Sequence, residues 1–480
     1  MYNSIGRRAI RLAGRLTGFI AVGLAFHAVN TASALPVIPG ATGFGIDTPA
    51  GRGGTAYRVT NLNASGAGSL AACVSASGPR VCVFEVSGVI QLTQELMVWN
   101  PYLTIAGQTA PAPGIMIRGA SLWIAASNVL VQHITIRVGD DEIGPWPTNR
   151  DSLNISNGSG PVSNVVIDHC TFSWGLDEVV NPGWGDFDNI TFMNNIVSEG
   201  LSYNVLTDWS GYGPIIGNGA AGNARVSMTG NLLAHNQERN PLTYAKNFFY
   251  ANNVIYNYGT GGLTITGSSA GGSWAGPTST SAIGNLFIHG PNTGKPYGAP
   301  DFVMIHQNAV DGSRVYISDN AVLSAYNSPQ VPLTDQWGRV AYMSGKTAAN
   351  FRVDTPSVSV PGFVARPVGA VRTWVLANAG SRPAARSAKD SEIVNDVLNG
   401  TGTIKNCVSA TRCRAAPYNH DAGGWPVYAK NSRVLSLPAD PNGDSDGDGY
   451  TNLEEWLHDM AAAVESQSPS PLPPTVITVQ

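Results

Sequence analysis

Charge is scarce in this sequence. Lys, Arg, Asp and Glu make up 12% of its 480 residues, roughly half the usual share of about 25%. That argues against a coiled coil and against a disordered chain. No basic patch marks a nucleic-acid surface, so no nucleic-acid partner is expected. Cysteine is sparse too. There are five, with no Cys-x-x-Cys pair, which argues against a cysteine-held metal centre. Glycine is plentiful by contrast, with 55 residues, about 11% against a usual ~7%. Low charge, abundant glycine and few helical stretches describe a turn-rich β protein. The length exceeds one ordinary globular core, so either several domains or a repetitive solenoid is expected.

Residues 1–34 read as an export signal and do not count toward the fold. Arg7, Arg8, Arg11 and Arg15 precede the apolar run Leu16 to Phe26, which is too short to span a bilayer easily. Ala32-Ser33-Ala34 supplies the small-residue cleavage signature, with cleavage after Ala34. Arg7-Arg8 also fits a twin-arginine signal. The expected product is secreted or periplasmic, monomeric, and free of the membrane after cleavage. Without those four arginines, 24 basic residues face 32 acidic ones, a net charge of −8. Such a protein does not draw in a polyanion by its bulk field, so an acidic substrate needs local cations. In an oxidising compartment Cys73 with Cys82, and Cys407 with Cys413, are plausible local disulfides. Cys170, in the apolar-rich run Val165 to Trp174, reads as a buried thiol.

From about Asn128 a pattern recurs: a β-rich stretch, a small polar pair, another apolar stretch. It reads VLVQHITI from Val129, VVIDHCTF from Val165, ITFMNNIV from Ile190 and VSMTGNLL from Val226. It continues as FFYANNVIY from Phe248, SAIGNLFI from Ser281 and VYISDNAVL from Val315. Asn195, Asn231, Asn253, Asn285 and Asn320 hold one place in the last five copies, at spacings of 36, 22, 32 and 35. Constant strand cores with variable insertions describe a coil of fixed girth whose loops vary, a parallel β-helix. Each rung is too short to bury its own apolar face and must stack on neighbours. Asn at a repeated corner tolerates the left-handed conformation and can hydrogen-bond along the stack. Hairpin turns of an antiparallel sandwich would instead space strands about 8–12 residues apart.

The pattern is lost from about Ala325 to Asn406. Two short helices are expected there, near Val368 to Asn378 and Ser387 to Leu398, stopping at Gly380 and Gly400. Next comes a specific motif. Asp444, Asp446 and Asp448 stand at positions 1, 3 and 5 of a twelve-residue loop, Gly449 at 6, Tyr450 at 7, Asn452 at 9 and Glu455 at 12. Calcium takes six to eight oxygens, and this loop offers carboxylates, the Tyr450 carbonyl and a bidentate Glu455. No convincing helix precedes the loop, so it reads as a structural clip. The expected organisation is a β-helix over 35–325, a cap with short helices over 326–438, an EF-hand-like loop and helix over 439–464, and a disordered tail over 465–480.

Carboxylates also gather on early rungs: Asp140, Asp141, Glu142, Asp151, Asp168, Asp177 and Glu178. Adjacent rungs of a parallel solenoid lie about 4.8 Å apart. Asp151 and Asp177 can therefore meet at one edge and hold a hard cation, although spacing alone equally allows ordinary loop carboxylates. Arg239 follows the Asn231 corner. It either points into the same groove or simply pairs with Glu238 or another carboxylate.

Many stretches in one order carry a resemblance. They include Gly43-Phe-Gly45, Gly51-Arg-Gly-Gly54, Val59-Thr-Asn-Leu62, Gly66-Ala-Gly-Ser-Leu70 and Thr104-Ile-Ala-Gly-Gln-Thr-Ala-Pro111. Ile167-Asp-His-Cys170, Ser173-Trp-Gly-Leu-Asp-Glu178, Arg239-Asn-Pro241, the Ile393 to Gly402 stretch and Gly423-Gly-Trp-Pro426 follow. Over about residues 38 to 460 the chain resembles the secreted calcium-dependent pectate lyases of polysaccharide lyase family 1. The resemblance implies a right-handed parallel β-helix with short C-terminal helices and a calcium-loop extension. It implies β-elimination on an acidic plant cell-wall polysaccharide, homogalacturonan or a related uronan. Arg239 is then the base. Asp151 and Asp177 match the calcium aspartates, with Glu178 or Asn181 completing the site. Calcium there neutralises the second charge that proton removal places on the uronate acid.

Two departures stand out. Relatives carry a basic residue just after Arg-x-Pro, where this chain has Leu242, Thr243 and Tyr244, and the next base is Lys246. Relatives also carry a Lys before the preceding strand, for which the nearest candidate is Arg225. Both bear on which uronan is cleaved. Two other functions compete. A hydrolase on this fold would need paired carboxylates, for which Asp140, Asp141 and Asp168 are available. A non-catalytic binding solenoid would stack sugars on Trp174, Trp184 and Trp209.

Overall fold

The computed structural model describes residues 35–465 apart from 143, 159, 206–209, 218–222, 268–275, 295–301 and 409–424. The expected signal (1–34), the tail beyond Glu465, Trp209 and Cys413 lie outside the described residues. No helix among the described residues is long and apolar enough to cross a membrane.

Residues 35 onward wind into a parallel β-helix. One rung runs through strands Val162–Asp168, Thr171–Ser173 and Glu178–Asn181, then starts again at Phe187–Met193. Repeating that path builds three sheets, the first of ten strands and the second and third of nine each. Every ladder between the described strands is parallel, for example Val165 opposite Ile190 and Val226 opposite Phe248. The antiparallel sandwich is thereby excluded. The coil also extends past residue 325. Strand Val340–Tyr342 pairs with Val303–Ile305 in the third sheet, a rung hidden from sequence because it lacks the Asn pattern.

Strand alternation decides what each face meets. In the first sheet Val129, Val131, Val165, Ile167, Ile190 and Phe192 point into the central core. Leu130, Val166 and Met193 point outward, where Val37, Ile46 and Ala50 cover them. Each such fully buried side chain contributes roughly 1.5–3 kcal/mol. The outer face of the second sheet, including Leu232, Val254, Leu286 and Ala321, is covered by helices Val368–Asn378 and Ala388–Asn399. The second helix ends at Gly400 in the left-handed conformation. Leu453 and Leu457 of helix Asn452–Glu465 pack on Val81, Val83 and Ala106.

The repeated asparagines form a continuous internal ladder. The side-chain amide of Asn195 donates to Asn231 Oδ1 at 2.9 Å, Asn231 to Asn253 at 2.9 Å, Asn253 to Asn285 at 2.9 Å and Asn285 to Asn320 at 3.0 Å. Gln336 ends the row by accepting from Asn320 at 3.1 Å. Cys170 holds the same place one rung earlier, its N–H donating to Asn195 Oδ1 at 2.8 Å, and it is a free, buried thiol. The left-handed residues at this corner are the ones just before the ladder: Asn194, Gly230, Asn252, Gly284 and Asp319, with φ between 54° and 70°. The ladder asparagines are thus selected for hydrogen bonding rather than for backbone strain. Cys73 and Cys82 form a disulfide. Cys407 is also disulfide-bonded.

Candidate active site

The third sheet begins, rung after rung, with polar residues. Asp151 lies just before strand Leu153–Ile155, Glu178 opens strand Glu178–Asn181, and Tyr212 opens strand Tyr212–Ile216. Glu178 stands opposite Tyr212, and Tyr212 bridges to Glu238, which precedes Arg239. Parallel stacking at about 4.8 Å per rung therefore brings residues far apart in sequence to one edge. Along the strands, the outward row of this sheet reads Trp123, Asn154 and Asn181, in register.

Asp151 is buried and held by two donors. Its Oδ1 accepts from the Glu178 N–H at 2.9 Å and its Oδ2 from Asn181 Nδ2 at 2.9 Å. The Asn181 carbonyl oxygen accepts from Gly183 N–H at 2.9 Å, so Asn181 orients Asp151. Burial above all, with Asp177 alongside, holds the Asp151 carboxyl well above the usual carboxylate range, against the pull of Asn181 and Arg239. Burial likewise raises Asp177, opposed by the Arg239 charge. The edge thus gathers carboxyl groups that burial makes harder to ionise.

Arg239 faces them. Its Nη1 donates to Glu178 Oε1, and its guanidinium lies 3.7 Å from the centroid of the Tyr212 ring. Of the two sequence readings, the ion pair is present, with Glu178 as the other carboxylate. The Arg239 side chain keeps 21% exposure. Its backbone has φ 60°, left-handed for a non-glycine residue. Burial lowers its pKa from the ordinary guanidinium range, while Asp177 and Asp151 pull it back up. Tyr212 and Tyr244 flank this edge, and burial pushes each phenol up to about 12. The Tyr244 hydroxyl donates to Gly183 O at 2.7 Å. Gly217 makes room, since a Cβ there would stand 2.5 Å from that hydroxyl.

Tyr212 went unnoticed in the sequence because the loop before it carries no motif. Tyr244 registered only as the absence of a base. Arg225 and Lys246 stand at another corner, where strands Arg225–Thr229 and Asn247–Ala251 of the first sheet begin. Arg225 is bound there by Asp188, at 3.0 and 2.6 Å, and does not join Arg239. The carboxylates available to a hydrolase are dispersed. Asp140 Oδ1 accepts from Val408 N–H, Asp141 pairs with Arg118, and Asp168 pairs with His169. Trp174 is fully buried, donating to Glu199 at 2.9 Å, whereas Trp184 is half exposed.

The calcium-type loop is folded on the same pattern as its sequence. The carboxylate oxygens of Asp444, Asp446 and Asp448 lie within 4.8 Å of one another. Asp444 accepts from Gly447 N–H at 2.7 Å and Gly449 N–H at 3.0 Å. Asp448 accepts from Tyr450 N–H at 2.8 Å. Asn452 Oδ1 accepts from Ser445 N–H at 3.1 Å and the helix follows. Desolvation and the Asp446, Asp448 and Asp444 charges push the Glu455 carboxyl up. The Tyr450 ring is buried and its hydroxyl donates to Pro36 O at 2.8 Å, fastening the loop to the start of the coil.

The fold is thus a parallel β-helix whose third sheet carries a polar edge of carboxylates, an arginine and two tyrosines. No protein-family model matches the chain. It is 33% identical over 443 residues to the probable pectate lyase C of Aspergillus fumigatus, covering 89% of this chain and 94% of that one. The probable pectate lyase C of Aspergillus terreus is 32% identical over 445 residues, covering 90% and 95%. The crystal structure of jun a 1, the major allergen from cedar pollen, superposes with a TM-score of 0.50 at 16% identity, over 70% of this chain and 91% of that one. That likeness is one of fold. The chain belongs to the pectate lyase family.

Proposed function

We propose that the chain is a secreted pectate lyase that cleaves polygalacturonate or a related uronan by β-elimination, with Arg239 as the base. The observation that carries this reading is the half-buried Arg239 guanidinium beside Asp151, Asp177 and Glu178. Calcium is the ion that hard carboxylate oxygens would take, and a cation here would favour the ionised form that burial of Asp151 and Asp177 disfavours. Asp151, Asp177 and Glu178 would hold it, with Asn181 keeping Asp151 in position. When bound, calcium polarises the uronate carboxylate and offsets the second charge of the carbanionic acid.

The chain's own residues do the rest. Desolvation weakens the hold of Arg239 on its proton, and the neutral guanidine so favoured is the base at the carbon next to the carboxylate. The C–H pair becomes the new double bond, the bond from C4 to the glycosidic oxygen breaks, and the leaving oxygen takes up a proton. Tyr212 under the guanidinium plane fixes its orientation. The apolar and phenolic run Leu242, Thr243, Tyr244 supplies no cation to grip neighbouring carboxylates. This favours substrates that carry fewer of them, such as methylated pectin.

Incubation with polygalacturonate and calcium should give rising ultraviolet absorbance from unsaturated ends, abolished by chelator. A rise on methylated pectin alone would place specificity in the Leu242–Tyr244 run. New reducing ends without absorbance would overturn elimination in favour of hydrolysis. No product from any uronan would overturn the lyase reading.

The Asp444–Glu455 loop serves stability in this reading. A ligand at about 100 times its Kd stabilises the folded state by about 2.7 kcal/mol. Calcium should therefore raise Tm by a few degrees, and Asp444→Asn should lessen that rise, leaving the part due to the Asp151 edge, without altering turnover at saturating calcium. An equal calcium response in the variant would refute the assignment.

A further inference from the structure

His133, Asp168, His169 and Glu465 converge at a different corner of the coil, where the first sheet turns into the second. Four ligand-type atoms, one from each, all lie within 4.8 Å of one another. His133 and His169 occupy the same corner of consecutive rungs, both in the left-handed conformation, with rings stacked at 5.3 Å. His133 Nε2 lies 3.1 Å from Glu465 Oε1, and His169 Nδ1 lies 2.8 Å from Asp168 Oδ1 and 3.4 Å from Glu465 Oε1. Both ring nitrogens are buried and face these carboxylates.

We propose that this cluster is a zinc-type metal site that clasps the C-terminal helix to the β-helix. The surroundings are those of a metal-binding pair of imidazoles. His133 Nδ1 lies 2.9 Å from Ser381 O, a carbonyl that can only accept, so Nδ1 carries a proton and Nε2 is the ring atom turned to the cluster, free to ligate once an ion displaces any proton there. Asp168 is oriented by Gln132 Nε2 at 2.9 Å and by Asn194 Nδ2 at 3.1 Å. Gln132 is in turn held by Gln108 at 3.1 Å. Two imidazoles with two carboxylates suit zinc better than calcium, which takes oxygen ligands. Bonds of about 2.1 Å in a tetrahedron put ligand atoms about 3.4 Å apart. The three contacts of 2.8–3.4 Å lie within about 0.6 Å of that spacing, and the remaining pairs are within 4.8 Å. Asp168, His169, Asn194 and Glu465 also line a cavity of about 640 Å³, which gives an ion a way in.

The ligands come from two parts of the chain. Three stand on neighbouring rungs, and Glu465 ends the helix that follows the calcium-type loop. An ion here would fix that helix at its far end, as Leu453 and Leu457 fix it at its start.

The test is zinc binding by untagged protein, stripped with chelator and returned to excess calcium so that oxygen sites are filled. Competition with a chromophoric zinc indicator should give one zinc per chain. His169→Gln and Glu465→Gln should each weaken binding at least about tenfold, while Asp444→Asn should leave it unchanged. Glu465 is near the chain's end and 29% exposed, so its variant tests the site even where His169→Gln fails to fold. Cobalt in place of zinc should give the strong visible absorption of a four-coordinate site. No zinc bound more tightly than about 10 µM, or binding that Glu465→Gln leaves unchanged, would overturn the proposal.

Discussion

Arg239→Ala is expected to lower kcat on the preferred uronan by about a thousandfold, within the range of a lost general base. KM should change little, because proton transfer is an interaction of the transition state. The variant should stay folded. Arg239 keeps 21% exposure and supports no apolar cluster, and its loss frees Glu178 at an edge that calcium can neutralise. Arg239→Lys separates charge from chemistry. Lysine restores a cation beside Glu178 but lacks the planar fork that lies on Tyr212. It should recover only a small part of the rate. Initial rates of unsaturated-product formation, with circular dichroism to verify the fold, decide the matter. Turnover by Arg239→Ala within tenfold of the parent would remove Arg239 from the chemistry.

The second large effect is structural. Asn253→Ala should destabilise the coil by about 3 kcal/mol, since each orphaned buried polar group costs roughly 1–3 kcal/mol. Asn253 Oδ1 accepts from both the backbone and side-chain N–H of Asn231, each at 2.9 Å. Its amide donates to Met228 O, Ala251 O and Asn285 Oδ1. Alanine removes the acceptor of the buried Asn231 N–H, takes one partner each from the Asn231 amide, Met228 O, Ala251 O and Asn285 Oδ1, and opens a gap in the stack. Because each rung depends on its neighbours, the loss is felt along the whole ladder. Thermal unfolding should shift down by about 3–4 °C. Asn63→Ala, at an exposed position, should change stability by less than about 0.5 kcal/mol. A Tm for Asn253→Ala equal to that of Asn63→Ala would show that the ladder is not a source of stability.

The ladder also shows how sequence and structure divide the information. Five asparagines at one place in a repeat, with spacings from 22 to 36 residues, were enough to infer stacked rungs. A coil has constant strand cores whatever its loops do, so the pattern survives variable insertion. The sequence missed that Cys170 and Gln336 are the ends of the same row, because neither is Asn. It missed the rung ending in Val340–Tyr342 for the same reason. It also assigned the left-handed corner to the ladder residue instead of the one before it, a distinction that depends on φ.

The sequence by itself determined the parallel coil, and it offered the acidic Asp444–Glu455 loop and Arg239 as candidates. These rest on local strings, where neighbours in sequence are neighbours in space. Only the tertiary structure decided which polar residues share an edge. Asp151, Glu178, Tyr212 and Arg239 come together because four rungs start the third sheet in register, and Arg225 is excluded because it starts the first. His133, His169 and Glu465 meet across more than 330 residues of chain. No periodicity encodes such meetings, because loop lengths set which corner a residue reaches, and the stacking of rungs about 4.8 Å apart sets what it touches there.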